Sequence, residues 1–192
     1  MLQNTKAKKR TYALKTLADY KAKIIEKSFS GTLLSINGIE VWTKLIGNFN
    51  AYNLVAIIGA AYELGMDKLE ALTIVSQLES VNGRFEHFVS DSGVIAIIDY
   101  AHTPDALKTC LKNLKEQFSS HKVSLVFGCG GSRDQNKRAK MGKIADLFSD
   151  KIYLTDDNPR TERPNKIRND IKKGIKKQTI FCDAFKEIIH FE

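Results

Sequence analysis

The chain has 192 residues, with 30 Lys+Arg against 22 Asp+Glu for a formal charge of +8; 43% of it is hydrophobic and 27% charged. That length holds one domain plus part of another, and the composition supports a packed core and excludes global disorder. The longest apolar stretch, residues 54–62, falls well short of the roughly 20 residues a membrane helix needs. The first ten residues have no apolar core behind their charges, so they do not read as a secretory signal, and the expected location is the cytoplasm.

The 3 cysteines, Cys110, Cys129 and Cys182, form no C-x-x-C pair, which argues against a disulfide framework and a zinc site. Apart from residues 6–10 and 172–177, the basic residues are dispersed. A solvated lysine-rich surface explains them better than a nucleic-acid face, for which aromatic-basic interleaving and a reading helix are also missing.

In chain order, residues 20–28 and 32–46 read as strands, with Gly31 and Asn37-Gly38 as turns; Asn-Gly is the strongest short-range hairpin signal. Asn50 is placed to cap a helix over 51–64 that ends at Gly65 and, being apolar on more than one face, should be largely buried. Asp67 starts a second helix with Leu69, Leu72, Val75 and Leu78 in one stripe. Val81-Asn82-Gly83 breaks the pattern and sets the expected domain boundary, with residues 1–82 before it and 83–192 after.

Beyond the break, strands and helices alternate. Residues 94–98 and 123–127 read as strands buried on both faces. Thr103 and Pro104 open a helix carrying Leu107, Cys110, Leu111, Leu114 and Phe118. Residues 137–148 form another through Met141, Ile144, Ala145 and Phe148. A strand over 152–155 follows, then a helix from Pro164 with Ile167, Ile171 and Ile175 inward. Residues 179–182 and 184–191 read as one more strand and helix. This is an α/β pattern: a mostly parallel, Rossmann-like sheet with helices on both faces, whose ligands bind at the carboxyl ends of the strands.

Three polar loops sit at such ends: Asp99-Tyr100-Ala101-His102-Thr103-Pro104-Asp105, residues 128–138 beginning Gly128-Cys129-Gly130-Gly131, and Asp156-Asp157-Asn158-Pro159-Arg160-Thr161. The glycines permit backbone approach to an anion at a helix N-terminus, or simply form a turn. No Walker A segment occurs in the chain. Arg133 and Arg138 offer planar forks to carboxylate or phosphate. Asp99 suits ribose hydroxyls or a helix cap. His102 suits phosphate contact, acid–base work or a structural role. Asp157-Asn158-Pro159-Arg160 is a turn by composition that presents Arg160 and two polar side chains to a zwitterionic ligand. His87, His121 and His190 read as surface residues, and Trp42 and Phe49 as packing.

These loops, together with Gly47-Asn48-Phe49-Asn50-Ala51-Tyr52-Asn53 and Gly83-Arg84-Phe85-Glu86, resemble the carboxy-terminal half of the Mur ligase family. The Asp-Asn-Pro-Arg turn points to the branch that adds diaminopimelate rather than lysine. The resemblance implies that residues 1–82 are the tail of a central ATP-binding domain and 83–192 most of a carboxy-terminal domain. It implies ATP- and Mg2+-dependent ligation of meso-diaminopimelate to UDP-N-acetylmuramoyl-L-alanyl-D-glutamate through an acyl phosphate, by a monomer. Asn53 and Asn50 match positions near adenine, Asp99 an acid near the ribose, and Arg84 an arginine that reaches the ATP phosphates. Arg84 and His102 are the catalytic candidates. Arg133, Asp157, Asn158, Pro159 and Arg160 match the diaminopimelate pocket. No metal ligand is assigned.

Relative to the family, the P-loop, the magnesium-holding residues, the UDP-sugar domain and a distal Gly-Lys-Gly-His-Glu segment are missing. Ser132 replaces a common aspartate, and Gln135-Asn136 a usual Lys-Gly. The expectation is a fragment inactive alone; the alternative is a non-catalytic module that binds diaminopimelate or a nucleotide.

Overall fold

The computed structural model describes residues 4–181, and the chain divides into two compact units, one running to Asp99 and the other starting at Tyr100. No helix among the described residues is long and apolar enough to cross a membrane.

The first unit is built on β1 (Tyr12–Ala13), β2 (Tyr20–Lys27), β3 (Thr32–Ile36) and β4 (Ile39–Thr43), in the order β1-β2-β3-β4. β1 runs parallel to β2, and the other pairs are antiparallel. Asn37 and Gly38 have φ of 50° and 87°, the positive pair that a two-residue hairpin turn requires, so the expected strand over 32–46 folds back on itself with Ile36 opposite Ile39. α1 (Asn48–Glu63) and α2 (Lys68–Gln77) follow. Leu34, Ile36 and Val41 from the sheet meet Leu54, Val55, Ile58, Leu72 and Val75 from the helices.

Two helix expectations change. Asn50 is not the cap of α1: Gly47 is the N-cap residue, and the Asn50 side chain instead donates to the Ile46 carbonyl (2.8 Å). Nor is α1 buried all round, since Ile57 is 51% exposed; the apolar run reads as burial, but the sheet covers only one face. The predicted end holds. Gly65 has φ 87° and donates to the Tyr62 carbonyl while Met66 donates to that of Ala61, a Schellman closure. Asp67 caps α2 by accepting from the Leu69 and Glu70 N–H groups. Its buried stripe is Ala71, Leu72 and Val75, whereas Leu69 faces solvent.

β5 (Glu86–Val89) and β6 (Ile95–Ile98) form a separate antiparallel hairpin. This corrects the reading of 94–98 as a strand buried on both faces of a parallel sheet. Among the described residues β6 pairs only with β5, and Ile98 is 50% exposed. Apolar residues without a covering layer remain at the surface.

In the second unit β7 (Ser124–Phe127), β8 (Lys151–Leu154) and β9 (Ile180–Phe181) form a parallel sheet in that order. Its helices are α3 (Pro104–Gln117), α4 (Asn136–Phe148) and α5 (Pro164–Lys172). Central β8 is the buried strand; β7 alternates, with Ser124 and Val126 exposed on one face. Thr103 caps α3 through Ala106 N–H, with Pro104 in the first turn, as the sequence predicts.

Leu107, Leu111, Met141, Ala145, Ile152, Leu154, Ile167 and Ile171 form the core, each large side chain contributing roughly 1.5–3 kcal/mol of burial. α4 and α5 pack backbone to backbone at Gly142, where a Cβ would lie 2.1 Å from the Ile171 carbonyl oxygen. Cys129 is a buried thiol whose Sγ lies 3.7 Å from Met141 Sδ, and Cys110 is half-buried. Cys182, His190 and the helix expected over 184–191 lie outside the described residues.

Candidate functional site

The loops after β7 and β8 leave the carboxyl ends of adjacent parallel strands, where the fold puts ligands. They are fastened together. Thr155 N–H donates to the Phe127 carbonyl (3.1 Å) and Gly131 N–H to that of Asn158 (2.8 Å). A Cβ on Gly131 would sit 1.8 Å from the Pro159 carbonyl oxygen, so no other residue allows this approach. Arg160 closes the pair by donating from Nη1 to the Gly131 carbonyl (2.7 Å), and its own N–H is held by Asn158 Oδ1 (3.1 Å). Asp157 and Arg160 both border Gly130.

The glycine loop is therefore not an open anion cradle. Gly131 N–H is spent on Asn158, Ser132 N–H on Glu162 Oε1 (2.6 Å), and Asn136 N–H at the start of α4 on Asp134 Oδ1 (2.9 Å). The glycines serve close approach between two backbones.

Arg138, expected as a fork for a ligand, is buried with its side chain 0% exposed and turned inward. Its guanidinium binds Glu162 bidentately (Nη1–Oε2 3.0 Å, Nη2–Oε1 2.8 Å) and also reaches Asp170 Oδ2 (3.2 Å) and the Gly130 carbonyl (3.4 Å). Arg138, and then the Ser132 N–H, hold the Glu162 carboxyl down to about 2. At the other end of the turn, buried Arg168 pairs with Asp156. Neither anchor pair was legible as such: Glu162, Asp170 and Arg168 meet their partners across sequence gaps that no helix or strand period reports.

Arg133, Asp157 and Asn158 are exposed and Pro159 is half-buried. His102 is exposed; its Nδ1–H donates to the Tyr100 carbonyl (3.1 Å), since a carbonyl only accepts, and this leaves Nε2 as the acceptor. Lys137 Nζ at the start of α4 donates to the His102 carbonyl (2.7 Å), tying that loop to the glycine-loop helix.

In the first unit, Asp99 at the end of β6 accepts from Phe85 N–H (2.9 Å), and Glu86 Oε2 accepts from Gly83 N–H (2.8 Å). Asp99 thus fastens the loop that carries Arg84, rather than capping the helix after it. Phe85 has φ 52° and is buried edge-on against Phe49, their centroids 5.0 Å apart. Arg84 between Gly83 and Phe85 is exposed, as is Asn53; Asn50 lies one turn before Asn53 on the same side of α1. His87, expected at the surface, is half-buried on β5. An open apolar groove of about 550 Å3 lies at the opposite end of α1, lined by Ile57, Ala61, Leu64 and Met66, away from these residues.

Among the described residues, three of the four non-glycine residues with positive φ, Phe85, Ser132 and Arg160, fall in these loops. Such backbone persists only where its surroundings hold it, and it concentrates at functional sites.

A parallel sheet with interlocked polar loops over its strand ends defines an α/β ligand-binding domain. A family model for the Mur ligase, glutamate ligase domain matches residues 83–191, and the chain belongs to the Mur ligase family. The UDP-N-acetylmuramoyl-L-alanyl-D-glutamate–2,6-diaminopimelate ligase of Parabacteroides distasonis is 53% identical over 178 residues, covering 92% of this chain and 37% of that protein. The ligase of the same name from Cytophaga hutchinsonii is 48% identical over 176 residues, covering 92% of this chain and 36% of that protein. A solved structure of a ligase of that name superposes with a TM-score of 0.62 at 35% identity, over 93% of this chain and 37% of that one. The chain thus spans little more than a third of the length of these relatives.

Proposed function

We propose that the chain is the carboxy-terminal part of an ATP-dependent ligase that joins meso-diaminopimelate to UDP-N-acetylmuramoyl-L-alanyl-D-glutamate in the cytoplasm, acting as a monomer. In this reading residues 1–82 are the tail of its central domain and 83–192 its amino-acid-binding domain. The observation that carries the reading is the locked pair of loops, with Arg160 at their junction and Asp157 beside it. A zwitterion with an extra amino and carboxyl group calls for both signs of charge on one rigid surface. Arg160 and Arg133 suit its carboxylates, Arg160 as a planar fork. Asp157 and Asn158 suit an ammonium, and Pro159 fixes the turn between them.

The chemistry requires activation because a carboxylate is a poor electrophile. The substrate's γ-carboxylate oxygen attacks the γ-phosphorus of ATP, giving an acyl phosphate and ADP. The free amine then attacks the acyl carbon, and the tetrahedral intermediate collapses with loss of phosphate and of the amine's proton. Arg84 is assigned to the developing phosphoryl charge. His102 is assigned to taking up a proton at Nε2 or, once protonated there, to donating to a phosphate oxygen. Asn50 and Asn53 are assigned to the adenine and Asp99 to the ribose. Among the described residues no group of three acidic, histidine or cysteine side chains fits a metal ion.

A second reading of this polypeptide is a module that binds diaminopimelate or a nucleotide without turnover. The two readings part in an assay of the purified chain with UDP-muramoyl dipeptide, ATP, Mg2+ and meso-diaminopimelate. No ligated product and no ADP release are expected from the chain alone. Product formation would contradict the inactive-part reading.

A further inference from the structure

We infer that Glu162 is a positioning residue for the amino-acid pocket, its carboxylate locking the glycine loop to the Asp157–Arg160 turn so that Arg160 is presented ready-placed; this rests on the reading of that surface as the diaminopimelate pocket. Glu162 itself touches no proposed ligand group. It lies two residues past Arg160, and its own N–H closes the turn by donating to the Pro159 carbonyl (3.0 Å).

Its carboxylate is nearly saturated. Oε1 accepts from Ser132 N–H (2.6 Å) and Arg138 Nη2 (2.8 Å), and Oε2 from Arg138 Nη1 (3.0 Å) and Gln135 Nε2 (3.4 Å). These bonds join the turn, the glycine loop and α4, and Arg138 extends them to Asp170 on α5. Ser132 (φ 52°) and Arg160 (φ 48°) flank the junction in backbone conformations disfavoured for side-chain-bearing residues. A second link at the same place, Ser132 Oγ to Thr161 Oγ1 (2.7 Å), is neutral and exposed. The charged, bidentate link is the one able to hold such backbone.

Without the carboxylate's charge, Ser132 N–H and Arg138 compete for at most one neutral acceptor and the bidentate ion pair is lost. The glycine loop is then free to leave the turn, and the Gly131 carbonyl that seats the Arg160 guanidinium goes with it. A residue that only stabilises the fold would loosen the unit as a whole instead. Affinity, compared with local and global hydrogen exchange, separates the two roles.

The test uses the 192-residue chain and Glu162→Gln, which keeps the shape and removes the charge. Amide exchange is followed at Gly131 and Ser132 in the loop and at Tyr153 and Leu154 in β8, with meso-diaminopimelate affinity measured by calorimetry. The expected result is roughly tenfold faster exchange at Gly131 and Ser132, unchanged exchange in β8, and roughly tenfold weaker binding. Unchanged loop exchange, or unchanged affinity alongside faster loop exchange, overturns the inference. If Glu162→Gln does not fold, Glu162→Asp, which keeps the charge and shortens its reach, is measured in the same way. Should the wild-type chain bind no meso-diaminopimelate, the proposed function fails, and loop exchange alone then decides whether Glu162 couples the two loops.

Discussion

Replacing Arg138 with alanine is expected to lower the thermal midpoint of the second unit by on the order of 10 °C. The side chain is fully buried and binds two carboxylates and a backbone carbonyl. Its removal leaves a cavity beneath α4 and takes from Glu162 its bidentate partner, while Asp170 keeps Lys173 at 2.6 Å. The loss should also change the response to acid. Glu162 is held at about 2 in the folded chain, below the unfolded carboxyl value of about 4.3. Its contribution is therefore present above about pH 4.3 and disappears as the pH falls towards 2. Melts at pH 7 and pH 3 should show a steeper acid-side loss in the wild type than in Arg138→Ala. Equal midpoints at pH 7 would mean that the buried guanidinium is not what joins α4, α5 and the turn.

Gly131→Ala has a different expected signature, with its larger effect on binding. The new methyl group would lie 1.8 Å from the Pro159 carbonyl oxygen, and backbone on both sides leaves no flexible side chain to give way. The turn must move by about an ångström or more, and a displacement of that size at a ligand surface weakens recognition by on the order of a hundredfold. The core of Ile152, Leu154, Ile167 and Ile171 is not touched, so a folded variant with lost meso-diaminopimelate binding is expected. Calorimetry alongside a thermal melt checks both parts. A folded variant with wild-type affinity would show that the loop junction is not part of the binding surface.

Local features were legible from the sequence. Asn37-Gly38, Gly65, Asp67 and Thr103-Pro104 act through their own backbones or near neighbours, and each does what its residue type dictates. The parallel strands 124–127 and 151–154 and the loops behind them followed from alternation. Burial was less legible, because apolarity reports willingness to be covered, not the presence of a cover; Ala96, Ile98 and Ile57 remain exposed for that reason. Asn50 misled because its side chain had two local acceptor or donor roles and took the one facing backwards to Ile46. The arginines were the hardest to read. Arg133, Arg138, Arg160 and Arg168 look alike in sequence, yet Arg138 and Arg168 are buried anchors, Arg133 is exposed, and Arg160 binds its own loop. Only the positions of distant carboxylates, Glu162 and Asp156, sort them.

Calorimetric titration of the purified 192-residue chain with meso-diaminopimelate, with lysine as the control, tests the pocket assignment most directly. Saturable binding of meso-diaminopimelate is expected, with at least tenfold weaker binding of lysine and loss of the preference in Arg160→Ala. A well-folded chain that binds neither amino acid, or binds both equally, would contradict the assignment of the interlocked loops as the amino-acid pocket.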